Sequence, residues 1–227
     1  LQGLTEVLSS GKFEEVQAED AVDFVTTDLQ ELKERTVGKH GLRWRLNILN
    51  SSLGSLRVAD FGFIFARPET GKTTFLASEV THMAMQAQTP VLWFNNEEQG
   101  EKVMTKIYQS ALGIDKATLF ANTKVYQEEF NRLLNGRLLM VDQALITKGM
   151  VERLCEKYKP SLIVIDQLDK IKGFKGDRND LEMGAIYQWA RELAKTYGPV
   201  IAVCQADGSG DGVKWLTMAN VADAKTA

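Results

Sequence analysis

The sequence predicts an α/β fold: a mainly parallel sheet with helices on both faces, preceded by a helical arm. Three observations predict it. Five short apolar runs are near-continuous rather than alternating, as strands buried on both faces require. Helical patterns separate these runs, the signature of a covered parallel sheet. The first run opens into a Gly-Lys-Thr turn at a helix start.

The elements follow in chain order. Over about 14–36, Ala18, Val22, Val25, Leu29 and Leu32 recur at steps of 4, 3, 4 and 3, which places them on one side of a helix. Such a helix either folds onto its own domain or docks on a neighbouring subunit. Residues 1–40 hold 4 basic and 9 acidic residues, the remainder 23 basic and 21 acidic. The break predicts an arm over 1–40 and a main domain over 41–227. Beyond Gly38 and Gly41, the stretch to Leu56 reads as turns and a short helix. Strands are expected at about 61–66, 90–95, 137–141, 161–166 and 199–204. Helices are expected at 73–87, 99–111, 147–158 and 181–197, with one or two more within 114–135.

Composition narrows the function classes. A net charge of −3 over 227 residues argues against coating nucleic acid by global basicity, though not against a local groove. No apolar run approaches the roughly 20 residues of a membrane span. The first 30 residues carry acidic clusters where a secretory leader has a basic start, so a cytoplasmic location is expected. Cys155 and Cys204 read as reduced interior thiols, and His40 and His82 make no zinc pattern. The start at Leu1 and the end at Ala227 read as a piece of a longer chain.

Chemistry is expected at the carboxyl ends of the strands. The run Ala66-Arg67-Pro68-Glu69-Thr70-Gly71-Lys72-Thr73 follows a strand and enters a helix. It is a phosphate-binding P-loop with Ala66 in place of the first glycine. Gly71 lets successive N–H groups face inward, and the helix start adds its positive dipole end. Lys72 reaches the β and γ phosphates of ATP, and Thr73 offers a hydroxyl to Mg²⁺. Asp166 ends a buried strand and is the expected second Mg²⁺ ligand. Gln167 follows it, so the water-activating carboxylate is not adjacent. Glu97, in Asn95-Asn96-Glu97-Glu98, supplies it if the second strand neighbours the P-loop strand; Glu98 is the weaker candidate. Gln205, beyond the fifth strand, is placed to sense the γ phosphate. Lys170, Lys172, Lys175 and Arg178 on one loop, and Lys214 on a glycine-rich second, suit a phosphate backbone such as that of DNA.

Together these residues resemble the motor domain of DnaB-type replicative helicases, with a RecA-like P-loop NTPase core. The segment Ala66-Arg67-Pro68-x-x-Gly71-Lys72-Thr73-Thr74 matches the family's A-R-P-x-x-G-K-T, so Ala66 is a family feature. Leu53-Gly54-Ser55-Leu56 with Asp60 resembles the family's lead-in, and Asn179 to Ile186 the segment after its first DNA loop. Glu97, Asp166 and Gln205 match its acidic residue, magnesium aspartate and terminal glutamine. The resemblance covers roughly 36–227, with the acidic arm in the place of the linker helix. It implies a hexameric ring that hydrolyses ATP between subunits and translocates 5′ to 3′ on single-stranded DNA, with primase as a further partner. It also implies an arginine finger and further strands beyond Ala227. The departures suggest a phage-encoded member. Two other readings share these residues: a filament-forming RecA-like recombination or repair ATPase, and a non-hydrolysing nucleotide-binding assembly module.

Overall fold

The computed structural model describes residues 28–37, 41–174, 179–206 and 212–217. The chain divides into two units, Leu1–Lys39 and His40–Ala227. In the first, α1 (Leu29–Val37) starts at Asp28, whose Oδ1 accepts from the Glu31 amide at 2.8 Å. This cap satisfies one of the free N–H groups of the first turn. Ala18, Val22 and Val25 of the expected stripe lie outside the described residues.

The second unit opens with a strap around its first long helix. Leu42 and Leu56 exchange backbone hydrogen bonds at 2.8 and 2.9 Å, with α2 (Asn47–Ser52) between them. Trp44 is buried, and its indole N–H donates to the Gly54 carbonyl at 3.1 Å. The Arg45 amide donates to Glu79 Oε2 at 2.6 Å, which ties the strap to the helix that follows the P-loop.

Five strands form one parallel sheet: β1 (Phe61–Ala66), β2 (Val91–Asn95), β3 (Leu138–Asp142), β4 (Leu162–Asp166) and β5 (Val200–Gln205), in the order β1-β5-β4-β2-β3. Between them run α3 (Lys72–Gln86), α4 (Gly100–Leu112), α5 (Lys116–Ala121), α6 (Thr123–Leu134), α7 (Lys148–Tyr158) and α8 (Asn179–Thr196). The strands after the first begin one residue later than their apolar runs, and β3 and β5 extend to a polar residue. Ladder pairing, not hydrophobicity, sets the last residue: Asn95 pairs with Asp142 and Ala66 with Gln205.

The near-continuous apolar runs divide between two cores. Leu92, Phe94, Ile163, Ile165, Ala202 and Cys204 pack with α7 and α8 residues such as Val151 and Trp189. Val91, Trp93, Leu162, Val164, Ile201 and Val203 pack with α3, α4 and α6 residues such as Leu76, Ile107 and Phe130. Alternate residues of one strand thus serve opposite layers. β1 is half-buried along its whole length and pairs only with β5 among the described residues.

Candidate active site at the carboxyl ends of the strands

The P-loop spans the end of β1 and the start of α3. Positive φ falls at Glu69 (59°) and Gly71 (92°), not at Ala66. Alanine at the first position therefore costs no backbone strain, because Ala66 is still strand. Gly71 is the N-cap of α3, and its carbonyl accepts from the Phe75 amide at 2.9 Å. The Thr70 hydroxyl donates to the Arg67 carbonyl at 2.7 Å and closes the turn over Pro68. Lys72 is buried; its Nζ donates to the carbonyls of Ala66 at 3.3 Å and Arg67 at 3.0 Å. The ammonium therefore lies inside the curve of the loop, where the free N–H groups of a helix start also converge. Thr73 is buried beside it, and Thr74 follows on the same turn.

A cavity of about 400 Å³ opens above the loop, lined by Glu69, Gly71, Lys72, Thr73, Thr74, Glu97, Glu98 and Lys106. Glu97 reaches it, but not by the route expected. β2 does not neighbour β1; β5 and β4 lie between them. Glu97 stands two residues beyond the end of β2, and its Oε1 accepts from Gln205 Nε2 at 3.1 Å. The turn beyond the strand carries the carboxylate sideways to β5, whose last residue pairs with Ala66. The structure thus brings Lys72, Thr73, Glu97 and Gln205 to one place. Glu98 is engaged instead by Lys106, Nζ to Oε2 at 2.6 Å.

Asp166 ends β4, fully buried, and neither carboxylate oxygen has a hydrogen-bond partner among the described residues. Burial pushes its carboxyl up to about 7; Glu97 adds to the rise and the Lys72 ammonium opposes it. An unpaired buried carboxylate is costly unless a cation offsets it. Asp166 and the Thr73 hydroxyl are hard oxygen donors of the kind that suit a magnesium ion.

The basic residues spread over two segments. Lys170 closes the 3-10 turn Leu168–Lys170, and Lys172 is pinned by backbone bonds to Ile146 at 3.0 Å and Lys148 at 2.8 Å. Both are exposed. Lys214 is exposed beyond β5, its Nζ 5.6 Å from the Trp215 ring centroid. Arg67 Nη2 donates to the Val213 carbonyl, which ties this segment to the P-loop. Lys175 and Arg178 lie outside the described residues.

Sequence reasoning missed three features. Lys106, two helical turns beyond Glu98, lines the cavity from α4. Asn95 donates to the Glu98 carbonyl at 2.6 Å and to Asp142 Oδ1 at 2.5 Å, while Asp142 Oδ2 accepts from the Gly100 amide at 3.1 Å. Asn96 donates to the Gln167 carbonyl at 3.2 Å. The one sequence signal for these was a polar pair, Asn95-Asn96, ending a buried strand.

Comparison with known proteins points to one family. Residues 41–211 match the family model described as the DnaB-like helicase C-terminal domain. The replicative DNA helicase DnaB of Buchnera aphidicola subsp. Baizongia pistaciae is 28% identical over 208 residues, covering 84% of this chain and 44% of that protein. The DnaB of Pasteurella multocida is 28% identical over 199 residues, covering 79% of this chain and 42% of that protein. The chain thus spans less than half the length of these curated relatives. Among solved structures, a DnaB-like replicative helicase described with its interactions with primase superposes with a TM-score of 0.70 at 16% identity, over 98% of this chain and 57% of that one. A solved ATPase domain gives the same TM-score and identity over 86% of this chain and 75% of its own.

Proposed function

This chain belongs to the DnaB-like helicase C-terminal domain family, and from that premise we propose that it is the ATP-hydrolysing motor of a replicative DNA helicase. One observation carries the reading: the buried P-loop Lys72 and Glu97 line one cavity, Gln205 holds Glu97, and the buried, unpartnered Asp166 feels the charges of both Lys72 and Glu97.

Residues Ala66 to Thr74 hold the phosphates of ATP, with Lys72 as the central cation. Thr73 and Asp166 hold Mg²⁺, which supplies charge neutralisation of the phosphate oxygens when bound. Glu97 orients and deprotonates the attacking water, its carboxylate kept in place by Gln205. Gln205 in turn links the γ-phosphate position to β5 and the segment beyond it. That segment carries Lys214, and the one beyond β4 carries Lys170, Lys172, Lys175 and Arg178. Together they hold single-stranded DNA by its backbone. The arm over 1–40 packs on a neighbouring copy in a hexameric ring, and primase is a further partner of the assembled helicase in the cytoplasm.

The test is ATP hydrolysis with and without single-stranded DNA, wild type against Lys72→Ala. Loss of one preorganised charge at the phosphates should lower turnover by at least ~100-fold. Equal turnover in both proteins would sink the reading. A DNA-dependent filament rather than a ring in electron micrographs would favour a recombination ATPase.

A further inference from the structure

Nine buried side-chain polar atoms lack a hydrogen-bond partner among the described residues, and seven of them gather at the ends of β2 and β4. They belong to Asn95, Asn96, Asp166, Gln167 and Asp169. Protein interiors leave few such atoms unsatisfied, so their concentration marks a place where packing serves something other than stability. Gln167 adds a second sign. It is fully buried, its backbone is left-handed at φ 71°, and both atoms of its side-chain amide are unpartnered. A buried non-glycine residue in that region is strained and persists only where its surroundings hold it.

One bond explains what the strain secures. The Gln167 carbonyl accepts from Asn96 Nδ2 at 3.2 Å, beyond the last ladder pair of the two strands, Asn95 with Asp166. Asn96 immediately precedes Glu97. On the other flank, Asn95 holds the Glu98 carbonyl and the Asp142 carboxylate, and Lys106 holds the Glu98 side chain. The residues flanking Glu97 are thus held from several sides, and beyond the ladder pair Asn95–Asp166 it is the Asn96 side chain that ties this turn to the residue following Asp166.

We propose that Asn96 is a positioning residue: through the Gln167 carbonyl it fixes the Glu97 turn relative to Asp166. The inference rests on the reading of Glu97 as the water-orienting base. Misplacement of such a group by about 1 Å lowers turnover roughly 100-fold without touching the phosphate contacts.

The experiment compares Asn96→Ala and the near-isosteric Asn96→Leu with the wild-type chain, alone and combined with Glu97→Gln. Two readouts are taken. Hydrogen–deuterium exchange should rise in segments 95–99 and 166–170 and stay unchanged in β1. ATP turnover should fall roughly 10- to 100-fold, with nucleotide affinity held within about twofold, and neither variant should add to the loss of Glu97→Gln. Unchanged exchange in both segments overturns the inference whatever the turnover. So does a loss that adds to Glu97→Gln, or one matched by weaker nucleotide binding. A wild-type chain that never hydrolyses ATP, yet shows the exchange response, instead overturns the functional reading and leaves the tether standing.

Discussion

Replacing Asp166 by asparagine isolates the cost of its buried charge. The carboxyl is fully buried, unpartnered among the described residues and pushed up to about 7, against an ordinary value of 3.8 that the unfolded chain retains. Between those values the folded chain binds the proton and the unfolded chain does not. The stability this group contributes is therefore fully present below the lower value and is lost as pH rises through about 7. At about 1.4 kcal/mol per tenfold change in proton affinity, the full loss is roughly 4 kcal/mol. Asparagine keeps the shape and carries no charge, so the variant escapes it. In protein free of metal and nucleotide, Asp166→Asn should gain on wild type by roughly 2 kcal/mol between about pH 5.5 and about pH 8.5, the more stable variant standing out at the higher pH. Urea unfolding followed by circular dichroism at the two pH values measures this, and in thermal melts the same gain amounts to about 4–8 °C. A wild-type-to-variant difference that is equal at both values would mean the carboxyl has the same charge throughout, and would refute the argument.

Three further outcomes are expected. Gly71→Ala should destabilise the chain by roughly 1–2 kcal/mol in urea unfolding, because its φ of 92° suits glycine although the added methyl meets nothing within 4 Å. A parallel loss of nucleotide affinity should follow from the tilted amides. Glu79→Ala should cost roughly 2–3 kcal/mol in the same assay, since the buried carboxylate accepts from the Arg45 and Leu46 amides at 2.6 and 3.4 Å. Cys155 and Cys204, both pushed up to about 12 by burial, should stay unreactive towards Ellman's reagent at about pH 8 until the chain is unfolded.

The parallel α/β layout was legible because its signals are local. Apolar runs such as Leu162–Ile165 are continuous, and only strands covered on both faces read that way. The P-loop was legible for the same reason, since its loop, lysine and helix start are contiguous. Strand order was not, because pairing is a contact between distant segments. The condition placed on Glu97, that the second strand neighbour the P-loop strand, is not met, yet Glu97 reaches the cavity through the turn beyond the strand. The contacts of Asn96, Gln167 and Lys106 were not legible for a related reason. Asparagine at a strand end, glutamine after an aspartate and lysine on a helix are ordinary as letters. Each acquires meaning only from its surroundings in the fold: a carbonyl just beyond β4, a strained φ, or a shared cavity.

The order of the sheet also carries a consequence for biosynthesis. β1 finds its partner in β5, with Phe61 opposite Val200. At roughly 5–20 residues per second, the ribosome needs about 7–30 s to make the stretch between them. Meanwhile β2, β3 and β4 can pair as they emerge, but Phe61, Phe63 and Phe65 wait without a ladder. Such a strand, apolar and unpaired, is what holdase chaperones bind and what nascent chains aggregate through. The strand that leads into the P-loop is the first of the five to be synthesised and among the last to be secured. Synthesis rate through residues 67–199 is thus expected to influence how much of this chain reaches its folded state.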